Sequence, residues 1–493
     1  MGRIKNQKGI TIVSLVVTIV VIMILSTITI DLVMGENGIL KQSQSTKEMA
    51  ENQVDESEKE LNDMLGIYEN SMIDSQAAYV DNELISAPKL SGGMIPVYWN
   101  GTNWIKIDRG DSRWYDYGQK KWANIVLEDS TFNGDILDES KPYSQLVWIP
   151  RFAYKITSGW HSTQTGTVEV VFIGTNNKSK DGTLYNGTYA DATNGVLSGG
   201  TMKNFVVEPA FDYGDKKLEG FWIGKFESSH TKCTKDVTTG EATFTGQEIM
   251  QIKANVTSWR NITIGDAFTT CLAMNQTNNR YGLYKNDNIV DPHMVKNTEW
   301  GAVAYLSKSK YGKEIEEVFI NNSSDYITGN AGNTASAGSS AGVTNAYHTP
   351  AGQKASTTGN IYGVYDMSGG SWDRVAAYVN NGHANLQTYG KSVVDGAAKY
   401  KEVYEQGASD TQELNYGKAA SKYGDAVYET SNGYSSSSAS WYSDYADFVN
   451  TSWPFFDRGG GSYNTTGSGM FAFSSVTGNA YNNHGFRVAV PVI

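Results

Sequence analysis

The sequence predicts an α+β protein: a transmembrane helix and a stalk helix at the N-terminus, a small β module, then a large mixed domain rich in loops. Three observations carry this. Residues Ile10 to Ile30 form an uncharged, mostly apolar run. Short aromatic segments separated by Asn-Gly and Gly recur after residue 90. The 493 residues also include 51 glycines, 30 tyrosines and 12 tryptophans but only 19% charged residues, a balance that favours strands and loops over helical arrays or disorder.

At roughly 100–200 residues per domain, the length allows two to four domains. Forty basic against 52 acidic side chains leave a net charge of −12. That argues against a nucleic-acid partner, because a phosphate backbone needs a basic face. Two cysteines, Cys233 and Cys271, cannot supply a disulfide framework or a multi-thiolate zinc site. Spacing alone does not decide whether they pair or remain buried thiols.

As a helix rising about 1.5 Å per residue, residues 10–30 are long enough to cross a roughly 30 Å hydrocarbon layer. Arg3, Lys5 and Lys8 precede the run with no acid among them. Positive flanks stay cytoplasmic, so the chain after Ile30 is expected outside. A cleaved secretory signal fits less well, since its apolar core spans about 7–15 residues and ends in an Ala-x-Ala-like site. Here Asp31-Leu32-Val33-Met34-Gly35 follows instead. Over residues 31–70, Val54, Leu61, Met64 and Leu65 recur near helical spacing among many charges, which predicts a stalk helix or, equally, a solvated linker helix.

The stretch Lys8-Gly9-Ile10-Thr11-Ile12-Val13-Ser14 resembles the type III leader of type IV prepilins and pseudopilins. The resemblance implies that residues 1–9 are a leader, that a prepilin peptidase cuts between Gly9 and Ile10, and that other pilin subunits are candidate partners. Ser14 stands where that family usually carries Glu. A carboxylate there would pair with a neighbouring subunit's terminal ammonium, and an unpaired buried charge is costly. Lacking it, the chain resembles a tip-located minor pilin or a non-polymerising anchor more than a shaft subunit.

Residues 71–142 are expected to form the small β module. MIPVYWNGTNWIKI and WYDYGQKKWANIVL read as hairpins through their Asn-Gly and Gly turns. Trp99, Trp104, Trp114, Tyr115, Tyr117 and Trp122 could stack on sugars, but aromatics at strand spacing more often belong to the core.

From residue 143 to 493, the segments YSQLVWIPRFAYKI, EGFWIGKFESS, DPHMVKNTEWGAVAYLSKSKYG, GNIYGVYDMSGGSWDRV, FFDRGGGSY and GFRVAV follow in order. Asn297 can cap a helix whose Trp300, Val303 and Ala304 share a face, ending before Gly312. Arg487, inside an apolar last strand, is expected to meet a buried acid or carbonyl. The polar, aperiodic tracts 321–360 and 431–440 are expected to be surface insertions.

As an ordered set, these motifs resemble the formylglycine-generating-enzyme-like (sulfatase-modifying factor) branch of the C-type-lectin fold, which implies that fold for residues 143–493. Active members of that family oxidise a cysteine through a copper-binding cysteine pair placed after an RGGS-like stretch. Here Arg458-Gly459-Gly460-Gly461-Ser462-Tyr463 runs into Asn464, Thr465, Thr466, Gly467 and Ser468, with no cysteine beyond Cys271. Such chemistry needs soft thiolate ligands. The six histidines are scattered along the chain, and Glu299, Asp366 and Asp373 lie in Gly- and aromatic-rich motifs where capping is the commoner role. The chain is therefore expected to be non-catalytic and to carry no cofactor beyond a structural calcium that its loops could hold.

Residues 453–485 are the expected ligand face. Tyr brings wide amphipathic contact at low entropic cost, while Ser, Asn and Gly adapt their hydrogen bonds. The candidate binding residues are Trp453, Phe455, Phe456, Tyr463, Asn464, Thr465, Ser474, Thr477, Asn479, Tyr481, Asn482, Asn483 and His484. This layout also resembles the variable region of retroelement-diversified proteins, where adenine-directed mutagenesis works through Asn codons. Taken together, the sequence is expected to encode a membrane-anchored or pilus-associated adhesin that displays its C-terminal domains outside the cell and binds an extracellular protein or glycan. A metal-dependent oxidase and a structural minor pilin without ligand are the alternatives.

Overall fold

Every residue of Ser144–Pro150 and Gly220–Gly224 is buried, and segments apolar on both faces belong in the middle of a covered sheet. In the computed structural model, which describes residues 18–23, 25, 84–127, 131–233, 250–275, 283 and 290–493, they pair antiparallel with Trp222 opposite Trp148. They form the centre of a nine-stranded antiparallel sheet. Val488–Pro491 and then His293–Met294 extend it on one side. On the other side come Asn124–Leu127, Met94–Trp99 and Trp104–Lys106, followed by the hairpin Phe132–Asn133/Ile136–Leu137.

A second, seven-stranded sheet is mixed. Trp372–Val379, buried along its whole length, pairs antiparallel with Phe455–Gly459 and parallel with both Glu402–Tyr404 and His484–Phe486. Gly469–Val476 returns antiparallel along Phe455–Gly459. Ala446–Asp447 and Ser435–Ser436 complete the edge. Phe152–Ser158 lies between Thr167–Phe172 and Val206–Val207 in a third, three-stranded sheet.

These findings correct the expected α+β class. The described residues are mostly antiparallel and mixed sheet, and their longest helix, Ala384–Asp395, has 12 residues. No described helix is long and apolar enough to cross a membrane. Within the Ile10–Ile30 run, residues 18–23 and 25 are described and helical; the leader, Gly9, Ile10 and the stalk of 31–70 lie outside the described residues. The physical reason for the sheet-rich body is the density of β-branched and aromatic residues between glycine turns, which suits half-buried pleated surfaces.

Of the small module expected over 71–142, residues 71–83 and 128–130 lie outside the described residues. Residues 85–493 cluster as one compact unit, and Met94–Trp99 and Asn124–Leu127 are continuous with the large sheet. Trp104, Trp114, Tyr117 and Trp122 are buried in its core. The tract 321–360 is threaded into the body rather than laid on it: Asn321, Asn322, Thr328, Ala331 and Ser356 are buried, and the Asn321 amide donates to Asp366 Oδ1 and to the Ile327 carbonyl, each at 2.8 Å. Side chains such as these satisfy backbone groups that an apolar residue would leave orphaned. Ser431 and Ser440 are likewise buried.

The helix expected after residue 297 spans Asn297–Ser307 and is buried nearly all round. Its N-cap is Lys296 rather than Asn297, with Glu299 Oε2 accepting the Lys296 backbone N–H at 2.9 Å. Asn297 instead accepts from Arg458 Nη1 at 3.1 Å. The Trp300 indole donates to the Met470 carbonyl at 2.7 Å, tying the helix to the second sheet.

Arg487 fulfils its expected role at the point where the chain passes from one large sheet to the other. Its Nε donates to Asp373 Oδ2 at 3.1 Å, Nη1 to the Gly224 carbonyl at 2.8 Å, and Nη2 to the carbonyls of Tyr365 and Asp366 at 3.0 and 3.1 Å. Glu227, Asp366 and Asp373 are buried around this one guanidinium. Burial lifts all three above the ordinary carboxylate range against the pull of Arg487, Asp373 to about 7. Glu429, buried beside Tyr154 and Tyr305, rises to about 8 for the same reason.

These groups set a pH dependence. An unfolded chain releases such protons near pH 4, whereas the folded chain keeps those of Asp373 and Glu429 to about 7 and about 8. The folded state thus holds more protons in between, and stability falls as pH rises through that window. Lys308 and Lys313, lowered by burial to about 7 and 8, act in the opposite sense only above about pH 7. The thermal midpoint is therefore expected to drop between pH 5 and pH 7. Scanning calorimetry at constant ionic strength checks this; a midpoint that rises over that interval refutes it.

Candidate ligand-binding cleft

Two glycines build the cleft's outer loop. Gly459 and Gly460 have φ of +86° and +76°, a backbone that side chains rarely adopt, and a Cβ on Gly460 would run into Ser468. The chain therefore leaves the Phe455–Gly459 strand and folds back on itself within eight residues. Ser468 Oγ donates to the Gly461 carbonyl at 2.7 Å, and Asn464 Oδ1 accepts the Gly461 N–H at 2.8 Å. This holds Tyr463 outward, with its hydroxyl accepting from Asn483 Nδ2 at 2.8 Å.

Between this loop, the Gly469–Val476 strand and the turn before His484 lies an open cleft of about 340 Å³. Its buried lining is Trp372, Ser475, Val476 and His484. Its outer wall carries Trp453, Tyr463 and Tyr481, which are 48, 48 and 39% exposed. Tyr445, Asn464, Ser474 and Thr477 complete it. The Tyr481 and His484 rings lie 4.9 Å apart, and Trp372 meets Tyr445 edge-on at 6.1 Å.

His484 Nδ1 lies against Oδ2 of Asp457, which is buried on the Phe455–Gly459 strand; this strand and that of His484 both pair with Trp372–Val379. Arg374 Nη1 stands 4.0 Å from the other Asp457 oxygen, and Nη2 donates to the Asn479 carbonyl. Ser475 Oγ is already spent on Asp447 Oδ2 at 2.6 Å. The acid and the guanidinium thus sit behind the lining and orient it rather than facing the opening.

Seven of the expected binding residues come together here: Trp453, Tyr463, Asn464, Ser474, Thr477, Tyr481 and His484. Phe455 and Phe456 do not, and their assignment as binding residues is corrected. Both are fully buried, because the strand is covered on its two faces: Phe455 packs at Gly390 and Tyr378, and Phe456 against Tyr404 and Phe448. Thr465 is exposed but outside the lining. Asn479, Asn482 and Asn483 serve as scaffold, their carbonyls accepting from Arg374, Arg260 and the Trp372 N–H. Trp372 and Tyr445 were not foreseen; the signals for them were the Gly-Gly-Ser-Trp turn and the Tyr- and Ser-rich run before residue 446.

A second cleft of about 430 Å³ is lined by Lys296, Lys399, Lys401 and Lys422 together with Asp212, Glu402 and Asp425. Three of its lysines are engaged by groups outside the lining: Lys296 lies 3.5 Å from Glu299, Lys399 pairs with Asp291, and Lys422 rests 4.7 Å over the Tyr404 ring.

The positions after Gly461 offer hydroxyls and an amide where the copper site implied by the enzyme resemblance would need thiolates. Cys271 is buried and Cys233 half-buried, and both are free thiols. Glu299, Asp366 and Asp373 are buried and engaged in capping, turn and Arg487 contacts. Comparison with known proteins gives no identity: no family model matches the chain, and no curated protein matches it.

Proposed function

We propose that the protein is a non-catalytic recognition protein displayed at the cell surface or a pilus tip, and that it captures an extracellular ligand in the 340 Å³ cleft. The observation that carries this reading is the trio of exposed aromatics, Trp453, Tyr463 and Tyr481, arranged around one concave opening. Large aromatics left in solvent around a cleft cost solvation unless a partner covers them, and such residues dominate binding energy at interfaces. The uncharged run of residues 10–30 behind Arg3, Lys5 and Lys8 supports an envelope location.

The test is capture on arrays of glycans and of purified extracellular proteins. Replacing Trp453, Tyr463 and Tyr481 together by Ala is expected to weaken capture more than tenfold, with the thermal midpoint nearly unchanged because the three side chains are exposed. Capture that survives the triple replacement overturns the assignment of the face. Antibody labelling of intact cells tests display: label that appears only after the envelope is broken overturns the surface location.

A further inference from the structure

The chemistry of the lining narrows the ligand. Resting on the reading that this cleft binds a ligand at all, we infer that it takes the end unit of an uncharged oligosaccharide, and does so without calcium.

The first argument is charge. Among the described residues, no Asp, Glu, Lys or Arg lines the cleft. An acidic sugar or phosphorylated group would find no cation to offset its desolvation. Arg374 is buried behind the lining, with Nη2 donating to the Asn479 carbonyl and Nη1 4.0 Å from Asp457 Oδ1. Calcium-bridged sugar binding needs several carboxylate or amide oxygens on one ion. Among the described residues the cleft supplies a single side-chain amide, Asn464, and its Oδ1 is held by the Gly461 N–H.

The second argument is shape and polarity. A pyranose has apolar C–H faces and a rim of hydroxyls, so it is recognised by flat aromatic rings with small polar groups between them. The cleft provides such a set: aromatic rings of Trp453, Tyr463 and Tyr481 at the opening, and, among the described residues, Ser474 Oγ and Asn464 Nδ2 that make no hydrogen bond within the protein. His484, with Nδ1 turned to Asp457, also lines the cleft. A volume of about 340 Å³ is at the small end of the roughly 300–1,000 Å³ of small-molecule sites, which suits an end unit rather than a long chain.

The experiment uses the full chain in detergent on an array of neutral, sialylated and sulfated oligosaccharides, with the protein array as a second arm, each read with calcium and with EDTA. Expected is binding to neutral glycans only, unchanged by EDTA and weakened at least tenfold in Trp453→Ala and in Tyr481→Ala. His484→Gln, which keeps a hydrogen-bonding group, should bind more weakly than wild type but better than His484→Ala. Binding confined to acidic glycans, or lost in EDTA, overturns the inference. Binding only to a protein, yet sensitive to Trp453→Ala, overturns the sugar assignment while leaving the cleft reading intact. Binding on either arm that ignores all these replacements overturns both.

Discussion

Arg487→Met is expected to destabilise the protein by about 3–5 kcal/mol, the range for removing one partner of a buried ion pair. The guanidinium donates to one carboxylate and three carbonyls contributed by separate segments. Methionine fills much of the volume but satisfies none of these acceptors, and it takes away the guanidinium that offsets the buried carboxyls of Glu227, Asp366 and Asp373. The three carboxyls would then take up protons more readily, so the variant should be much less unfavourable at pH 5 than at pH 8. Adding Asp373→Asn should recover part of the loss, which a double-mutant cycle by denaturant unfolding measures. A loss below about 1 kcal/mol, or no coupling with position 373, would refute the role assigned to Arg487.

Gly301→Val is expected to be comparably severe, near or beyond the upper end of the about 1–3 kcal/mol typical of overpacking. Gly301 lies inside the Asn297–Ser307 helix, where a Cβ would land on the Gly424 carbonyl oxygen and 2.8 Å from the Asp425 carbonyl carbon. That segment cannot retreat cheaply. The Gly424 N–H donates to Glu429 Oε2 at 2.8 Å, and the Asp425 carbonyl accepts from Arg458 at 2.8 Å. Gly301→Ala is the informative control, because helix propensity alone favours Ala by about 1 kcal/mol. The clash should outweigh that gain, and chemical denaturation should show a net loss for Ala and a larger one for Val. A stabilised Ala variant would mean that the helix does not approach this backbone so closely.

What was legible in the sequence followed from chemistry confined to a few neighbouring residues. Arg487 in an apolar run had to meet an acceptor, and it does. Aromatics at strand spacing in the segment from Trp104 to Trp122 read as core, and most are. Tyr463, Tyr481, Asn464 and His484 stood in a polar stretch with a recognition composition, and the fold gathers them around one cleft. Phe455 and Phe456 were misread because sequence cannot show that a strand is covered on both faces; the covering groups, Tyr378 and Gly390 on one side and Tyr404 and Phe448 on the other, come from distant segments. Trp372 and Tyr445 escaped for the same reason. The tract 321–360 looked like a surface insertion because its polarity was weighed without knowing that Asn321 would be spent on Asp366. Strands on both sides of residue 142 join one sheet, because strand pairing ignores local changes in composition.

The switch of the chain between sheets at Arg487 also bears on how the molecule is made. Gly220–Gly224 has Ser144–Pro150 on one side, but its other edge is closed by residues 489–491, and Arg487 lies 263 positions from the Gly224 carbonyl that it holds. Until that late stretch is synthesised, a flat, greasy ribbon stays unpaired and ready to adhere to any similar ribbon nearby. Nascent chains should therefore rely on a holding factor until residues 489–491 are made, and removing only those residues should drive the chain into inclusion material long before it harms the cleft itself.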